Sequence, residues 1–285
     1  MQSAGRKVVT DVLFQIAIRA SQGARRAQED TALCWPSGTT GADAAMLSQM
    51  PIEEPGRVAA VLCDGMGGHF GGATASRVAC ESFLPDLVSA EGSARQRLMH
   101  ALKQANASIT RHVDESPSLD GMGSTLVGVE AGADGLWWVS VGDSLLYLWR
   151  DGEIALLNED HSLAPEIDKL AETGKISWTA ARADPRRHYL RSALTGGDID
   201  DIEMIDLSER AAPLQEGDVI VLASDGVNTL EPASIASIVA QCAHSSAATI
   251  AARLISNVDA ARQPHQDNTT VVAIRVLSQS AAADV

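Results

Sequence analysis

Cysteine is scarce in this sequence, and it never occurs in a pair typical of a metal site or a disulfide framework. The four cysteines are scattered, at Cys34, Cys63, Cys80 and Cys242. Their spacing argues against a zinc ribbon and favours a reducing compartment. No apolar run approaches the roughly 18 residues that a membrane span requires, and the first residues lack the apolar core of a signal peptide. We therefore expect a cytoplasmic protein that does not enter a membrane.

Basic residues are also few relative to acidic ones. The chain has 22 Lys and Arg against 37 Asp and Glu, a formal net charge of −15. Such a balance argues against nucleic acid or an anionic membrane as the main partner, because both require clustered positive charge. Two interpretations of the acidic residues stay open: they cover a solvated surface, or several of them converge on cations.

Aromatic residues make up only 4% of the chain, but 45% is hydrophobic, which is enough for a sizeable core. Internal repeats, low-complexity tracts and interdomain linkers are absent from the sequence. We expect a single catalytic domain over residues 1–285 with its core at about 13–277. The loop at 36–57, rich in Pro and Gly, and the tail at 278–285 are candidates for mobile segments.

Hydrophobic periodicity predicts both strands and helices along the chain. Strands are predicted at 13–20, 31–35, 58–63, 125–130, 136–141, 145–150, 153–158, 218–224 and 269–276. Helices are predicted at 73–88 (ended or bent near Pro85), 93–113, 164–173, 229–242 and 246–258. Because short turns separate the four strands between 125 and 158, we expect them to form one antiparallel meander.

The most informative stretch is a buried apolar strand that ends in Asp64. Gly65, Met66, two more glycines and His69 follow directly. Glycines allow the main chain to turn tightly and to approach a ligand closely. The pattern predicts a carboxylate and bare backbone carbonyls at the end of a sheet, an arrangement suited to a metal ion.

Other acidic residues stand at comparable strand ends. Asp225 follows a strand, Asp267 precedes one, and Glu29 and Asp30 form a further corner. Carboxylates that converge at one sheet edge are ligands for hard cations such as Mg²⁺ or Mn²⁺, and the lack of paired soft ligands disfavours zinc.

Arginines near these acids add candidates for phosphate binding. A guanidinium from Arg25 or Arg26 could hold a phosphate with two hydrogen bonds, so the pattern indicates phosphate-ester hydrolysis. The basic segment 182–191 is either an exposed loop or a docking surface for an anionic substrate, and both interpretations stay open.

Several motifs in order resemble those of one enzyme family. They are Arg25-x-x-x-Glu29-Asp30, Asp64-Gly-Met-Gly-Gly-His69, Gly123-Ser-Thr125, Val141-Gly-Asp-Ser144, Asp160-His161-Ser162, Ser224-Asp225-Gly226 and Asp267-Asn268. In this order they are similar to the metal-dependent protein phosphatases of type 2C, the PPM family, in its bacterial branch. The resemblance spans roughly residues 13–277.

The resemblance implies an α+β fold, a four-layer αββα sandwich of two antiparallel sheets flanked by helix pairs. It also implies two Mn²⁺ or Mg²⁺ ions in a cleft at one end, with a third, weaker ion as a further candidate. The implied metal residues are Asp64 bridging both ions, Glu29 and the Gly65 carbonyl on one ion, Asp225 and Asp267 on the other, Asp30 orienting metal-bound water, and Asp120 at the third ion.

The same resemblance implies a mechanism. Arg25 binds the substrate phosphate, and a metal-bridging hydroxide attacks phosphorus directly, so Ser124, Ser144 and Ser224 are structural rather than nucleophilic. In animal relatives a His follows Asp-Gly and protonates the leaving oxygen, whereas here Met66 holds that place. His69, three residues later, is either the general acid or a residue that packs locally.

The implied function is that of a phosphoprotein phosphatase, a phosphoric monoester hydrolase specific for Ser and Thr. It would act as a monomer on phosphorylated proteins and oppose a cognate bacterial-type Ser/Thr protein kinase, without nucleic acid or membrane partners. Two alternatives stay open. One is a catalytically silent phosphatase-like module that binds or regulates a partner, and the other is hydrolysis of small phosphoesters.

Overall fold

Two antiparallel sheets form the centre of the molecule. The computed structural model describes residues 12–36, 52–66 and 71–278. Its strands are β1 Val12–Ser21, β2 Asp30–Trp35, β3 Ile52–Pro55, β4 Val58–Met66, β5 Gly123–Ser124, β6 Leu126–Gly132, β7 Gly135–Val141, β8 Leu145–Arg150, β9 Glu153–Leu156, β10 Asp206–Leu207, β11 Val219–Ala223 and β12 Thr269–Ser278. One sheet has the order β3-β1-β12-β11-β8-β9, and the other has the order β10-β7-β6-β4-β2, with β5 paired to β4.

A continuous apolar layer joins the inner faces of the two sheets. Alternate residues of facing strands meet there and are almost completely buried, among them Ile16, Leu62, Val129, Leu222 and Ile274. This alternation follows from the two-residue period of a strand, which places every second side chain on the same face.

Helices cover the two outer faces. They are α1 Gly71–Ser89, α2 Ala94–Glu115, α3 Ala164–Glu172, α4 Trp178–Arg182, α5 Pro232–Cys242 and α6 Ala247–Ala260. Helix α1 packs on β2 and β4 and against α2, whereas α6 packs on β1 and β12 and against α5. The four layers therefore confirm the predicted αββα sandwich. No helix in the described ranges is both long and apolar enough to cross a membrane.

Helix α2 shows how local sequence sets an element. Ser93 caps its N-terminus in a reciprocal capping box with Gln96. The predicted apolar stripe, which includes Leu98, Leu102 and Ile109, is fully buried against α1 and its sheet. Capping and one-sided burial together place the helix as predicted.

Helix α1 continues past Pro85, where the sequence predicted an end or a bend. It runs on to Ser89 although proline cannot donate a backbone hydrogen bond. Phe83, Leu84 and Leu87 are buried on either side of the proline. Packing of this face against the sheet stabilises the last turn and outweighs the missing hydrogen bond.

The predicted meander is wrong. Strands β6 and β7 lie in one sheet, whereas β8 and β9 lie in the other. The residues between β7 and β8, Gly142, Asp143 and Ser144, carry the chain from one sheet to the other. Turn residues between two alternating strands fit a hairpin and a crossover equally well, so local pattern could not separate them. The crossover brings Asp143 to the end of the sandwich.

The predicted loop at 36–57 contains a strand. Strand β3 pairs with β1 at the sheet edge, with Ile52 opposite Ile16 and Glu54 opposite Phe14. A short strand with adjacent acids and a proline is typical of a sheet edge, where charge discourages pairing with other chains. Residues 37–51 of that loop and 279–285 of the predicted tail lie outside the described residues.

The contact between β6 and α1 depends on the absence of a side chain at Gly128. A Cβ atom there would lie 2.3 Å from Phe83 Cζ, a ring that is completely buried. We expect Gly128→Ala to lower the free energy of unfolding by about 1–3 kcal/mol through overpacking. Chemical denaturation measured by circular dichroism would give the value.

Gly132→Ala is the matched control in the same strand. The nearest atom to its added Cβ is 3.4 Å away, so we expect a change of at most about 0.5 kcal/mol. Equal destabilisation by both substitutions would contradict the assigned role of the Gly128–Phe83 contact.

Candidate active site

Acidic residues from both sheets meet at one end of the sandwich. In one sheet, Asp30 at the start of β2 lies directly opposite Asp64 near the end of β4. In the other, Asp225 follows β11 and Asp267 precedes the neighbouring β12. Antiparallel pairing places the end of one strand beside the start of the next, which is why these separated residues converge.

A cavity of about 940 Å³ opens at this end. Its floor includes most of the predicted site residues: Arg25, Glu29, Asp64, Gly65, Asp225 and Asp267. Asp30 lies beneath the floor, with 1% of its surface exposed. The structure therefore brings these predicted residues together at one end of the sandwich, while Asp120 and His69 are described separately below.

Two glycines allow the backbone to close tightly around Glu29. A Cβ atom on Gly65 would lie 2.0 Å from the Gly72 carbonyl oxygen, and one on Gly72 would lie 2.9 Å from Glu29 Oε1. The Gly65 amide donates a hydrogen bond to the Glu29 carbonyl oxygen at 3.1 Å. Only glycine fits at position 65, and this close approach holds the Glu29 carboxylate beside the Gly65 backbone.

Buried hydroxyl groups fix the main chain at Asp64. Thr125 Oγ1 accepts a hydrogen bond from the Asp64 amide at 3.0 Å and lies 2.8 Å from Ser144 Oγ. Ser124 Oγ donates to the Asp64 carbonyl oxygen at 2.9 Å. These bonds support the predicted structural roles of Ser124 and Ser144, and they link β4 to the crossover that carries Asp143.

Asn268 anchors the loop that carries Arg25 and Glu29. Its buried side-chain amide donates to the carbonyl oxygens of Gln22 and Ala27, at 2.9 and 3.0 Å, and its oxygen accepts the Glu29 amide at 2.8 Å. The sequence placed Asn268 in a motif but assigned it no role. The signal was its position after Asp267, where an amide can bind donors and acceptors of a crossing loop.

Asp30 and Asp225 each have a buried carboxylate oxygen without a partner. Asp30 Oδ2 accepts a hydrogen bond from Ser224 Oγ at 2.8 Å, and Ser224 Oγ in turn accepts the Thr270 amide at 2.9 Å. The Oδ1 atoms of Asp30 and Asp225 have no hydrogen-bond partner in the described part of the chain. Buried polar atoms are nearly always satisfied, and these two oxygens lie within the acidic cluster, so they are candidates to bind a cation.

Burial and mutual repulsion disfavour the charged forms of these acids. Burial, followed by the negative charges of Asp225 and Asp267, raises the pKa of Asp30 to about 7. Burial and then Asp267 raise the pKa of Asp225 to about 6. The pKa of Asp64 is raised well above its usual range, mainly by burial and next by Asp30. Positive charge at this cluster would favour the ionised carboxylates and so offset both the burial and the mutual repulsion.

Asp143 is a site residue that the sequence analysis missed. It lines the cavity, and burial, with the charges of Asp225 and Asp160, raises its pKa to about 8. The sequence analysis interpreted Gly142-Asp-Ser144 as a turn of the meander and as one of the family motifs, but it assigned no role to Asp143. Only the crossover between sheets reveals that this carboxylate faces the cavity.

The donor set fits a hard divalent cation. All candidate ligands are carboxylate or backbone carbonyl oxygens. Among the described residues, no three His, Cys, Asp or Glu side chains already stand at the spacing of a single ligand shell, and Arg25 pairs with Asp267. The fit therefore rests on the oxygen chemistry and on the unpartnered oxygens of Asp30 and Asp225.

Two predicted residues are not placed in the cavity. Asp120 is exposed after the short helical turn Pro117–Leu119, where its amide bonds to the Pro117 carbonyl oxygen, and it is not among the residues lining the cavity. His69 falls within 67–70, outside the described residues.

Most of the other residues that line the cavity belong to the segment 188–203, which we call its wall. Most guanidinium groups of the predicted basic cluster are paired with acids: Arg186 with Asp184, Arg187 with Asp168, and Arg191 with Glu166 and Glu203. These pairs leave little free positive charge on the predicted basic cluster. His188, Tyr189 and Arg191 of this segment line the cavity, and Tyr189 is 60% exposed.

Comparison with known proteins finds relatives similar in sequence. The serine/threonine protein phosphatase PstP of Mycobacterium tuberculosis is 34% identical over 218 residues, which cover 76% of this chain and 40% of PstP. The alignment thus spans less than half the length of that relative.

Solved structures of phosphatases are also similar to this chain. The crystal structure of M. tuberculosis PstP/Ppp is 28% identical with a TM-score of 0.72, covering 94% of this chain and 100% of that one. A second structure, of the PstP catalytic domain in complex with two manganese ions, is 27% identical with a TM-score of 0.70 over 94% and 100% of the two chains. The sequence model of the family described as protein phosphatase 2C matches residues 37–259. The chain therefore belongs to the protein phosphatase 2C family.

Proposed function

We propose that this chain is a divalent-metal-dependent protein phosphatase that hydrolyses phosphoserine and phosphothreonine. The observation that carries the proposal is the buried carboxylate cluster, with its unpartnered oxygens on Asp30 and Asp225, beside the half-exposed guanidinium of Arg25. The names of the relatives support the same activity. We further propose that residues 1–285 form one catalytic domain.

The proposed cations are two Mn²⁺ or Mg²⁺ ions. Asp64 would hold both ions, Glu29 and the Gly65 carbonyl oxygen one of them, and Asp225 and Asp267 the other. Bound in this way, the cations would supply Lewis acidity that activates water and stabilises charge on the phosphate oxygens. Manganese in the PstP structure supports this choice of metal. Asp120, which is exposed, stays the candidate for a third, weaker ion.

Arg25 is the proposed phosphate-binding residue. Its side chain is 54% exposed, lines the cavity and already pairs with the carboxylate of Asp267. A guanidinium presents two parallel N–H groups to a phosphate, a geometry that lysine does not offer. Arg26, the neighbouring residue, is exposed and does not line the cavity.

The serines of the site are committed to structural hydrogen bonds. Ser124 Oγ donates to the Asp64 and Thr125 carbonyl oxygens, and Ser224 Oγ donates to Asp30. We therefore propose direct attack by water without a phospho-enzyme. Asp30 would orient that water through its unpartnered oxygen, and His69 is the proposed general acid.

The proposed partners follow from this activity. Phosphorylated proteins would be the substrates, and a cognate Ser/Thr protein kinase would supply them. The net charge of −15 supports the absence of nucleic acid as a partner. We propose that the protein acts as a monomer, which sedimentation of the purified protein would test.

The first prediction concerns the requirement for metal. We expect Mn²⁺-dependent hydrolysis of p-nitrophenyl phosphate, which a chelator abolishes. Asp225→Asn should lower kcat by about 100- to 1000-fold, because a metal contributes several kcal/mol to transition-state stabilisation. No turnover by folded, metal-loaded wild-type protein would contradict the enzyme assignment and favour a silent binding module. Comparable kcat/KM values for small phosphoesters and phosphothreonine peptides would favour the small-molecule alternative.

The second prediction separates the two adjacent arginines. Arg25→Ala should raise KM for p-nitrophenyl phosphate roughly 10- to 100-fold, because hydrogen bonds to a charged phosphate are lost. Arg26→Ala removes the same charge from the exposed neighbour and should leave KM unchanged. A larger effect at Arg26 in steady-state kinetics would transfer the phosphate-binding role to that residue.

The third prediction uses the raised pKa of Asp225. A folded-state pKa of about 6 lies above the unfolded value, so this carboxyl favours folding at low pH. Its contribution is lost as the pH rises through about 6. In chelator, Asp225→Asn should therefore raise the melting temperature more at pH 8 than at pH 4.5.

Asp200→Asn is the control for this measurement, because Asp200 is an exposed acid in a short helical turn. We expect no such pH-dependent gain from it in thermal denaturation. Saturating Mn²⁺ should reverse the advantage of Asp225→Asn, since only the carboxylate binds the cation. An Asp225→Asn gain that shrinks toward pH 8 in chelator would contradict the assigned direction of the pKa shift.

A further inference from the structure

A second cavity adjoins the first at Arg25. It has a volume of about 750 Å³ and shares four lining residues with the first: Arg25, His188, Asp225 and Asp267. Arg25 therefore stands at the junction of two openings. A group bound to its guanidinium would border both cavities.

The second cavity, which we call the side cavity, has mainly polar walls. His188 lines it. The turn after Asp225 and the loop before Asp267 supply the other lining residues that the first cavity lacks: Gly226, Asn228, Thr229, Gln263, Pro264, His265 and Gln266. Pro264 is its only apolar side chain, and Arg25 is its only Lys or Arg, among the described residues. The side cavity thus suits a neutral polar ligand better than an apolar or a strongly anionic one.

Some of these polar side chains make hydrogen bonds within the protein, and others do not. Gln266 is buried, donates to the Gly226 carbonyl oxygen at 3.0 Å and accepts from Thr229 Oγ1 at 2.6 Å. In contrast, Asn228, Gln263 and His265 are exposed and have no side-chain hydrogen bond within the described part of the chain. Two amides and an imidazole are therefore available at the mouth of the side cavity.

We propose that the side cavity binds the polypeptide segment adjacent to the phosphorylated residue of a protein substrate. This inference rests on the proposed phosphatase function. A phosphate at Arg25 needs only a small part of the two joined cavities, so the remaining space accommodates the chain that carries it. Side-chain amides match the donors and acceptors of an extended peptide backbone, which is neutral and polar like these walls.

The experiment compares a peptide substrate with a minimal one. Asn228→Ala and His265→Ala, singly and together, are assayed with Mn²⁺ on a phosphothreonine peptide extended by several residues on both sides, and on p-nitrophenyl phosphate. The double variant should raise KM for the peptide about 3- to 10-fold, the expected loss of one or two hydrogen bonds, and leave p-nitrophenyl phosphate kinetics unchanged. Removing the peptide residues that occupy the side cavity should make the KM of the double variant equal to that of the wild type.

His244→Ala is the matched control, because His244 is an exposed histidine between α5 and α6 that does not line the side cavity. This substitution should leave the kinetics with both substrates unchanged. A KM for the peptide that stays at the wild-type value in the double variant would overturn the proposal. An equal loss with both substrates would also overturn it, since that result indicates distortion of the catalytic cavity.

A binding measurement separates this proposal from the proposed function. A fluorescent peptide with a non-hydrolysable phosphonate in place of the phosphate reports affinity by anisotropy without turnover. If the wild type hydrolyses no substrate and the double variant binds the phosphonate peptide more weakly than the wild type, the phosphatase function is contradicted. The proposal that the side cavity binds peptide is then supported. Equal affinity of wild type and double variant for this peptide would overturn the side-cavity proposal whatever the catalytic result.

Discussion

The crowding of carboxylates at one end of the two sheets is the constraint on which the rest of the site depends. Asp30, Asp64 and Asp225 are held close together and largely away from water, and each has a raised pKa for that reason. Such a cluster weakens the fold when its members are ionised. The scaffold must therefore hold these groups in place by contacts that do not depend on the charges themselves.

Those contacts are buried, mostly neutral hydrogen bonds and close backbone packing. Thr125 fixes the main chain at Asp64, Ser224 joins Asp30 to β12, and Asn268 holds the loop of Glu29. Each bond connects segments that are distant in sequence, so the site forms only when both sheets are assembled. The apolar layers supply the stability that offsets the cost of the acidic cluster.

Sequence predicted the acids of the site better than their surroundings. An apolar run that ends in Asp-Gly marks a strand end, and the family motifs grouped Asp64, Asp225 and Asp267, which line one cavity in the structure. The crossover that carries Asp143 was missed because alternating strands joined by turn residues look the same within one sheet or between two. Strand β3 was missed because its pairing with β1 is a long-range contact that four residues with two acids do not indicate.

The floor and the wall of the cavity are held by interactions of different strength. The floor depends on buried hydrogen bonds between strands, and removing one partner leaves an unsatisfied polar group that costs about 1–3 kcal/mol. The exposed side chains of the wall at 188–203 are fastened by ion pairs such as Arg191 with Glu166, which contribute about 0–1 kcal/mol each. Its buried residue Leu194 exchanges two main-chain hydrogen bonds with Ser124, at 2.8 and 2.9 Å. Substitutions of the exposed ion-paired side chains therefore cost little stability, whereas Leu194 connects the wall to Ser124, which bonds the Asp64 carbonyl oxygen.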